Sequence, residues 1–303
     1  NSIIVGLSGG PDSVALLSLL HTLQPHYGYT LIAASLDHQW RTEGAEEIAF
    51  CRKLAEQLSV GFIAKKAEDI PLAKRTGLTK EELGRALRRT FFEEVAKEYN
   101  AQAIALGHHY NDQQETFFLR MIRGATVAGL AAMKPKNKLY IRPLLTCTKD
   151  ELIAYLNDQS LSFCTDRSNE DTVFLRNAIR HTIIPAFKEC DTRFEESFKK
   201  TLTRMQETDL YLDRVARAEL DKIIVTQEST LLLNVDSFLA TDTFLHERLL
   251  ILWLIKEGVP FIPSTSFFTE LIRFIKGNGA HHQLHPDWKL ARKKNLLSLT
   301  KNL

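Results

Sequence analysis

The chain has 303 residues, 44% of them apolar and 25% charged, with 39 Lys and Arg against 37 Asp and Glu for a net charge of +2. That length suits two globular domains, and the composition excludes fibrous and intrinsically disordered classes. The net charge is too small to recruit a nucleic acid by itself, so local clusters must do so; the four cysteines, Cys51, Cys147, Cys164 and Cys190, lack the paired spacing of zinc, iron–sulfur or redox-dithiol sites and read as reduced thiols of a cytoplasmic protein.

The chain opens into Ile3-Ile4-Val5-Gly6-Leu7 with no charged start or cleavage site, and no apolar run is long enough for a membrane span. Export and membrane insertion are therefore not expected. The missing initiator Met reads as trimming, with a few residues expected before Asn1. Short apolar runs then alternate with amphipathic stretches: strand 3–7, helix 13–23, strand 31–36, helix 45–58, strand 61–65, helix 80–98 and strand 103–106. This alternation predicts an α/β fold, a doubly wound parallel sheet, with ligands at the carboxyl ends of the strands.

A helix is expected through Glu115 to Arg123, then a mobile basic loop carrying Lys134, Lys136 and Lys138. Ile141 to Leu145 returns to the core, Lys149 to Asn157 reads as helical, and the polar stretch Thr165 to Asp171 leads into Arg176 to His181. From Phe194, apolar residues at three-to-four-residue steps predict a long amphipathic helix linking two domains. Beyond it lie helices at 243–256 and 267–276, with short strand-like pieces over 283–299. The predicted division is 1–190, the parallel-sheet domain, and 191–303, a linker helix and a smaller, mainly helical domain.

The sharpest local signal is SGGPDS, Ser8 to Ser13, between the first strand and the first helix. Gly9 and Gly10 let an anion approach backbone N–H groups, Pro11 suits a first helical turn, and Ser8 and Ser13 offer hydroxyls. A helix N-terminus completes a phosphate cradle. No Walker spacing is present and no Lys follows the glycines. Asp12 among phosphate donors makes chemical sense if a magnesium ion lies between it and the nucleotide. The competing interpretation is a glycine turn with an ordinary helix cap.

SGGPDS resembles the pyrophosphate loop of the N-type ATP pyrophosphatases, and four further segments resemble the tRNA(Ile)-lysidine synthetase family within that group. These are Asp37-His38-x-x-Arg41; Arg85-x-x-Arg88 before Phe91-Phe92; Gly107-His108-His109-Tyr110-Asn111-Asp112-Gln113-Gln114-Glu115-Thr116; and Arg142-Pro143-Leu144 followed by Asp166, Ser168, Asn169, Arg176, Asn177 and Arg180. The match spans about the first 185 residues. Asn111 departs from the family's usual carboxylate and Arg89 from its usual Tyr. The chain also ends without the additional carboxyl-terminal domain of longer family members.

The resemblance implies a ligase that uses ATP to adenylate the first-anticodon-position cytidine of a CAU-anticodon isoleucine tRNA. Free L-lysine then displaces AMP, changing codon reading from AUG to AUA. It assigns nucleotide binding to Ser8, Gly9, Gly10, Pro11, Asp12, Ser13, His38, Gly107 and His108, with Mg2+ at Asp12. Catalysis falls to Asp12, Asp37, Asp112, Arg85 and Arg88. Lysine or tRNA would be held by Asp37, Asp112, Glu115, Arg120, Arg123, Asn169, Arg176 and Arg180, and a homodimer is compatible with it.

Plainer interpretations stand beside these. Asp37-His38 could be a helix-capping turn, either His108 or His109 could be structural, and the basic residues 120–138 could form a solvated face. His281-His282-x-x-His285 lacks companion ligands for zinc. Rival functions are a PP-loop tRNA thiolation enzyme, which would need persulfide cysteines that the scattered thiols do not offer, a small-molecule synthetase that adenylates without RNA, and an inactive tRNA-binding relative.

Overall fold

The structure, a computed structural model, describes residues 1–40, 44–72, 79–164, 175–227, 230–261 and 264–301. Arg41, Asp166, Ser168 and Asn169 lie outside the described residues. The chain divides into two compact units, Asn1–Thr203 and Arg204–Leu303.

The first unit runs β1 (Ser2–Gly6), α1 (Pro11–Tyr27), β2 (Thr30–Asp37), α2 (Gly44–Gln57), β3 (Gly61–Lys66), α3 (Lys80–Glu98), β4 (Ala103–Ala105), α4 (Tyr110–Ile122), α5 (Val127–Leu130), β5 (Lys136–Asn137), β6 (Tyr140–Ile141), α6 (Lys149–Asp158), α7 (Leu175–Ala178), α8 (Ile184–Cys190) and the start of α9 (Phe194–Ile223). Its sheet has the order β3-β2-β1-β4-β6-β5, parallel except for the edge strand β5.

Period-two side-chain alternation gives the sheet two apolar faces. Val5, Leu7, Leu31 and Ala33 pack with Leu16 and Leu17 of α1, Leu54 of α2 and Leu156 of α6. Ile4, Ile32 and Ala34 face the other way, onto Leu87, Phe91 and Val95 of α3. Helix α3 starts where a capping box dictates, since Thr79 Oγ1 accepts from Glu82 N and Glu82 Oε2 accepts from Thr79 N.

The helix expected through Glu115 to Arg123 is α4, whose first turn opens at Tyr110 directly after the polar GHH segment. One local expectation is corrected. The basic connection is no loop: Lys136–Asn137 and Tyr140–Ile141 pair as a hairpin that extends the sheet, turning through Lys138 at φ +52°.

The second unit holds the rest of α9, then β7 (Ile224–Gln227), β8 (Thr230–Asn234), α10 (Val235–Leu239), α11 (His246–Lys256), α12 (Thr265–Lys276), β9 (His281–His285), β10 (Trp288–Lys293) and β11 (Leu296–Lys301). Its sheet, β7-β8-β11-β10-β9, is antiparallel throughout. Sequence reading found only pieces of this sheet and missed β7 and β8. Phe238, Leu250, Trp253, Leu271 and Leu297 form the core, and buried Trp253 satisfies its indole N–H on Leu231 O at 3.1 Å. Among the described residues no helix is long and apolar enough to cross a membrane.

Candidate active site

The SGGPDS segment turns between β1 and α1. Gly9 takes φ +81°, a conformation that suits glycine, and Pro11 opens α1. Buried Ser13 holds the turn closed: its hydroxyl donates to Gly10 O at 2.9 Å and accepts from Ser8 N at 3.1 Å, with Ser8 Oγ 3.2 Å away. Ser13 thus shapes the loop, while Ser8 is exposed. Two cysteines that the sequence leaves scattered meet here. A methyl group on Gly9 would lie 3.3 Å from Cys164 Sγ and 3.5 Å from Cys51 Sγ, and Cys164 N donates to Gly9 O at 2.9 Å.

A second turn, between β4 and α4, presses against the first. A Cβ on Gly107 would stand 3.0 Å from the backbone carbon and oxygen of Asp12, so glycine is what lets the two helix starts approach. Buried His109 places Nε2 3.6 Å from Asp12 Oδ1 and 3.6 Å from Asp112 Oδ2, and its backbone N–H donates to Asp112 Oδ2 at 3.0 Å. Asp112 Oδ1 accepts from Arg176 Nη2 at 3.0 Å. Arg176 Nε donates to Glu115 Oε2 at 2.7 Å and Arg180 Nε to Glu115 Oε1 at 2.5 Å.

Glu115, only 1% exposed, is therefore matched by two guanidinium groups from α7 and the following π-type turn Ile179–Ile183. The pairing desolvates the carboxylate without leaving it uncompensated. As placed, Glu115, Arg176 and Arg180 recognise one another, and Asp112 shares their charge. Asp112 and Glu115 do lie on one face of α4, as their spacing predicts.

A third helix start completes the arrangement, and sequence reading assigned it no role. Lys149, first residue of α6, brings Nζ to 3.4 Å from Asp12 Oδ2. Its backbone N–H donates to Asn111 Oδ1 at 2.9 Å, and Tyr110 N donates to Cys147 O at 2.8 Å. Residues at the starts of α1, α4 and α6 thus meet at Asp12, through the His109 and Lys149 side chains.

Burial by itself would raise the Asp12 pKa, but His109 and Lys149 outweigh it and hold the carboxyl below its ordinary range. Asp12 Oδ1 is buried with no hydrogen-bond partner among the described residues. His108 is pushed down to about 4, first by burial and then by Arg142, Arg176 and Arg85, against the opposing pull of Asp112. It is a neutral imidazole at neutral pH.

At the carboxyl end of β2, Asp37 Oδ1 accepts from Gln39 N at 2.8 Å, and a Cβ on Gly44 would come within 2.5 Å of it. Asp37 caps its own turn with one oxygen. His38 stacks on Trp40 with ring centres 4.5 Å apart. Arg85 and Arg88 lie on exposed positions of α3, with no ion-pair partner among the described residues. Arg120 is committed to carbonyls, Gly129 O at 2.8 Å and Ala132 O at 2.9 Å, which ties it to the turn around α5, whereas Arg123, Lys134, Lys136 and Lys138 are exposed. Arg142, present in a motif but given no role from the sequence, keeps a buried Nε without a partner among the described residues.

Residues 1–187 match the model of the PP-loop domain family. The tRNA(Ile)-lysidine synthase of Bacillus cereus (strain ATCC 14579) is 33% identical over 285 residues, covering 91% of this chain and 60% of that protein. The same enzyme of Thermosipho africanus is 38% identical over 211 residues, covering 69% of this chain and 49% of that protein. The chain thus spans between half and three-fifths of the length of these curated relatives. Among solved structures, the U34-tRNA thiolase NcsA from Methanococcus maripaludis superposes with a TM-score of 0.58 at 19% identity, covering 68% of this chain and 72% of that one, a likeness of fold.

Proposed function

Since this chain belongs to the PP-loop domain family, we propose that it is a tRNA(Ile)-lysidine synthase, adenylating the wobble cytidine of a CAU-anticodon isoleucine tRNA and joining lysine to it. The observation that carries the reading is the meeting of residues from three helix starts at Asp12, beside the Gly9-Gly10 turn that opens α1. Developing charge on a departing pyrophosphate needs fixed donors of this kind.

In the first step the cytidine O2 attacks the α-phosphorus of ATP, forming the O–P bond of the adenylate as the bond to pyrophosphate breaks. Gly9, Gly10 and the start of α1 would hold the phosphates, and His109 and Lys149 fix Asp12. A magnesium ion fits at Asp12, whose Oδ1 has no hydrogen-bond partner among the described residues. Among the described residues no group of three metal-ligating side chains exists, so phosphate oxygens and water would complete its shell. When bound, it supplies charge neutralisation to the triphosphate.

In the second step the lysine ε-amine, having lost its proton, attacks C2 of the base; the C–O bond breaks and AMP leaves. Asp37, with one carboxylate oxygen outside its turn-capping bond, is the residue we assign to the lysine ammonium groups. Arg85 and Arg88, which have no carboxylate partner among the described residues, are assigned to the lysine carboxylate or to RNA phosphate. Exposed Arg123, Lys134, Lys136 and Lys138 would contact anticodon-stem phosphates, and the RNA substrate puts the reaction in the cytoplasm.

Cys51 and Cys164 against Gly9 are the one feature on the side of sulfur transfer. Burial pushes the Cys51 thiol up to about 12 and also raises Cys164, so neither is a ready thiolate. The deciding assay is labelled-lysine incorporation into CAU-anticodon isoleucine tRNA with ATP, using elongator methionine tRNA as control. Incorporation into the first alone is expected; tight binding without incorporation would reverse the reading in favour of an inactive relative.

A further inference from the structure

The SGGPDS loop carries no cation of its own, and its one ionised side chain, Asp12, would repel a phosphate. The nearest answer in space comes from a residue 137 positions away: Lys149, whose Nζ stands 3.4 Å from Asp12 Oδ2. Resting on the pyrophosphate-loop reading above, we propose that Lys149 is the cation that receives the β- and γ-phosphates of ATP and the departing pyrophosphate, and that Asn111 is the positioning residue that keeps it there.

Three observations support the assignment. Backbone placement comes first, because the segment entering α6 is fastened to the first turn of α4 twice, through Lys149 N to Asn111 Oδ1 and Tyr110 N to Cys147 O. A capping box then fixes where α6 begins: Thr148 Oγ1 accepts from Glu151 N, and Glu151 Oε2 accepts from Thr148 N. Lys149 is thus held at a helix start whose own dipole favours an anion.

The third observation is exposure. The Lys149 side chain is 40% exposed, and ion pairs that open to water add little to folding stability. Its position is poorly explained as a prop for Asp12 alone. An ammonium has three donors and Asp12 occupies one, leaving two for phosphate oxygens. Once Asp12 is neutralised by a phosphate-bound cation, Lys149 is, among the described residues, a lysine ammonium within reach of the loop carboxylate and open to water.

Asn111 explains itself in the same geometry. It differs from the carboxylate usual in the motif it resembles, yet the bond it makes needs only an acceptor oxygen, which an amide supplies as well as a carboxylate does. The substitution therefore keeps α6 in register.

The test uses the whole chain with Mg2+ and no RNA, and measures binding of pyrophosphate, ATP and AMP by calorimetry. Lys149→Met is expected to weaken pyrophosphate and ATP by about tenfold or more, the size of a lost charge-assisted contact, while leaving AMP within about twofold. Lys149→Arg should stay within about threefold of the parent for pyrophosphate. Asn111→Leu should follow Lys149→Met in direction, and Asn111→Asp should not.

A loop that had merely collapsed would lose AMP along with pyrophosphate, so parallel loss of all three ligands overturns the inference. Equal pyrophosphate affinity of parent and Lys149→Met overturns it too. Because no RNA is present, these outcomes are separate from the lysine-incorporation assay: selective pyrophosphate loss alongside failed incorporation would keep Lys149 in its role and remove the tRNA reading. A parent that binds neither ATP nor pyrophosphate would overturn both.

Discussion

The two units solve burial in opposite ways. In the second, the interior is almost wholly apolar among the described residues, and an ion pair that buries Asp209, Arg248 Nη2 to Asp209 Oδ1 at 2.7 Å, ties α11 to α9 within the unit. In the first, polar and charged side chains run in a series through the carboxyl edge of the sheet, Lys149 to Asp12, the imidazole of His109 between Asp12 and Asp112, then Arg176, Glu115 and Arg180. Buried charge costs desolvation energy, and an apolar replacement of similar volume is often as stable. A series of this length at the ligand-binding edge of a parallel sheet is thus better explained by chemistry than by folding.

That contrast can be broken by mutation, beginning where the effect should be largest. Asp12→Ala is expected to lower RNA-dependent pyrophosphate release about a thousandfold, the size typical of losing a principal electrostatic group in a transition state, while RNA affinity changes little. Equal turnover by variant and parent would remove Asp12 from the reaction. Glu115→Ala, which strands two guanidinium groups, should cost about 3–5 kcal/mol of stability in chemical denaturation. Leu250→Ala, a cavity in the second core, should cost about 2–5 kcal/mol. The two differ in consequence: Glu115→Ala should abolish ATP binding at temperatures where the protein remains folded, and Leu250→Ala should leave it intact. If both variants lose ATP binding together, the units are not separable in the way their interiors indicate.

Sequence reading went furthest where the signal is local. Short apolar runs located β1 to β4, and the helix expected over 80–98 matches α3 to the residue. SGGPDS identified the loop because turn glycines, a helix-start proline and a strand all fall within a dozen residues. It failed where partners are distant. Lys149 carried no motif, and its bonds to Asn111 and Asp12 cross 38 and 137 residues. The clamp of Arg176 and Arg180 on Glu115 spans more than 60 residues, a pairing that no local pattern announces. Cys51 and Cys164 meet at Gly9 only because α2 and the segment after α6 pack beneath one loop. Short strands such as β7 and β8 gave four- and five-residue patterns, too brief to distinguish from helix ends.

The smallest expected effect concerns a single proton. His108 sits at about 4 in the folded protein because burial and three neighbouring arginines oppose its charged form, whereas an unfolded histidine titrates near 6.5. Between those values the unfolded chain binds more protons than the folded one, so acidification from pH 6.5 to pH 4 must destabilise the fold, by up to about 3 kcal/mol from this residue. Below that window the contribution is constant, and the loss then passes to carboxylates such as Asp12, whose depressed titration lies lower still. His246, which burial also holds below its ordinary value, acts with the same sign in the second unit. The whole-protein curve therefore mixes both units, and the informative measurement is a difference. His108→Gln should flatten the slope of unfolding free energy between pH 6.5 and 4 relative to the parent, while His246→Gln should flatten it independently and by an additive amount. Curves for parent and His108→Gln that run parallel across the window would mean that His108 keeps an ordinary titration, and that the arginines around it are not crowding a common site.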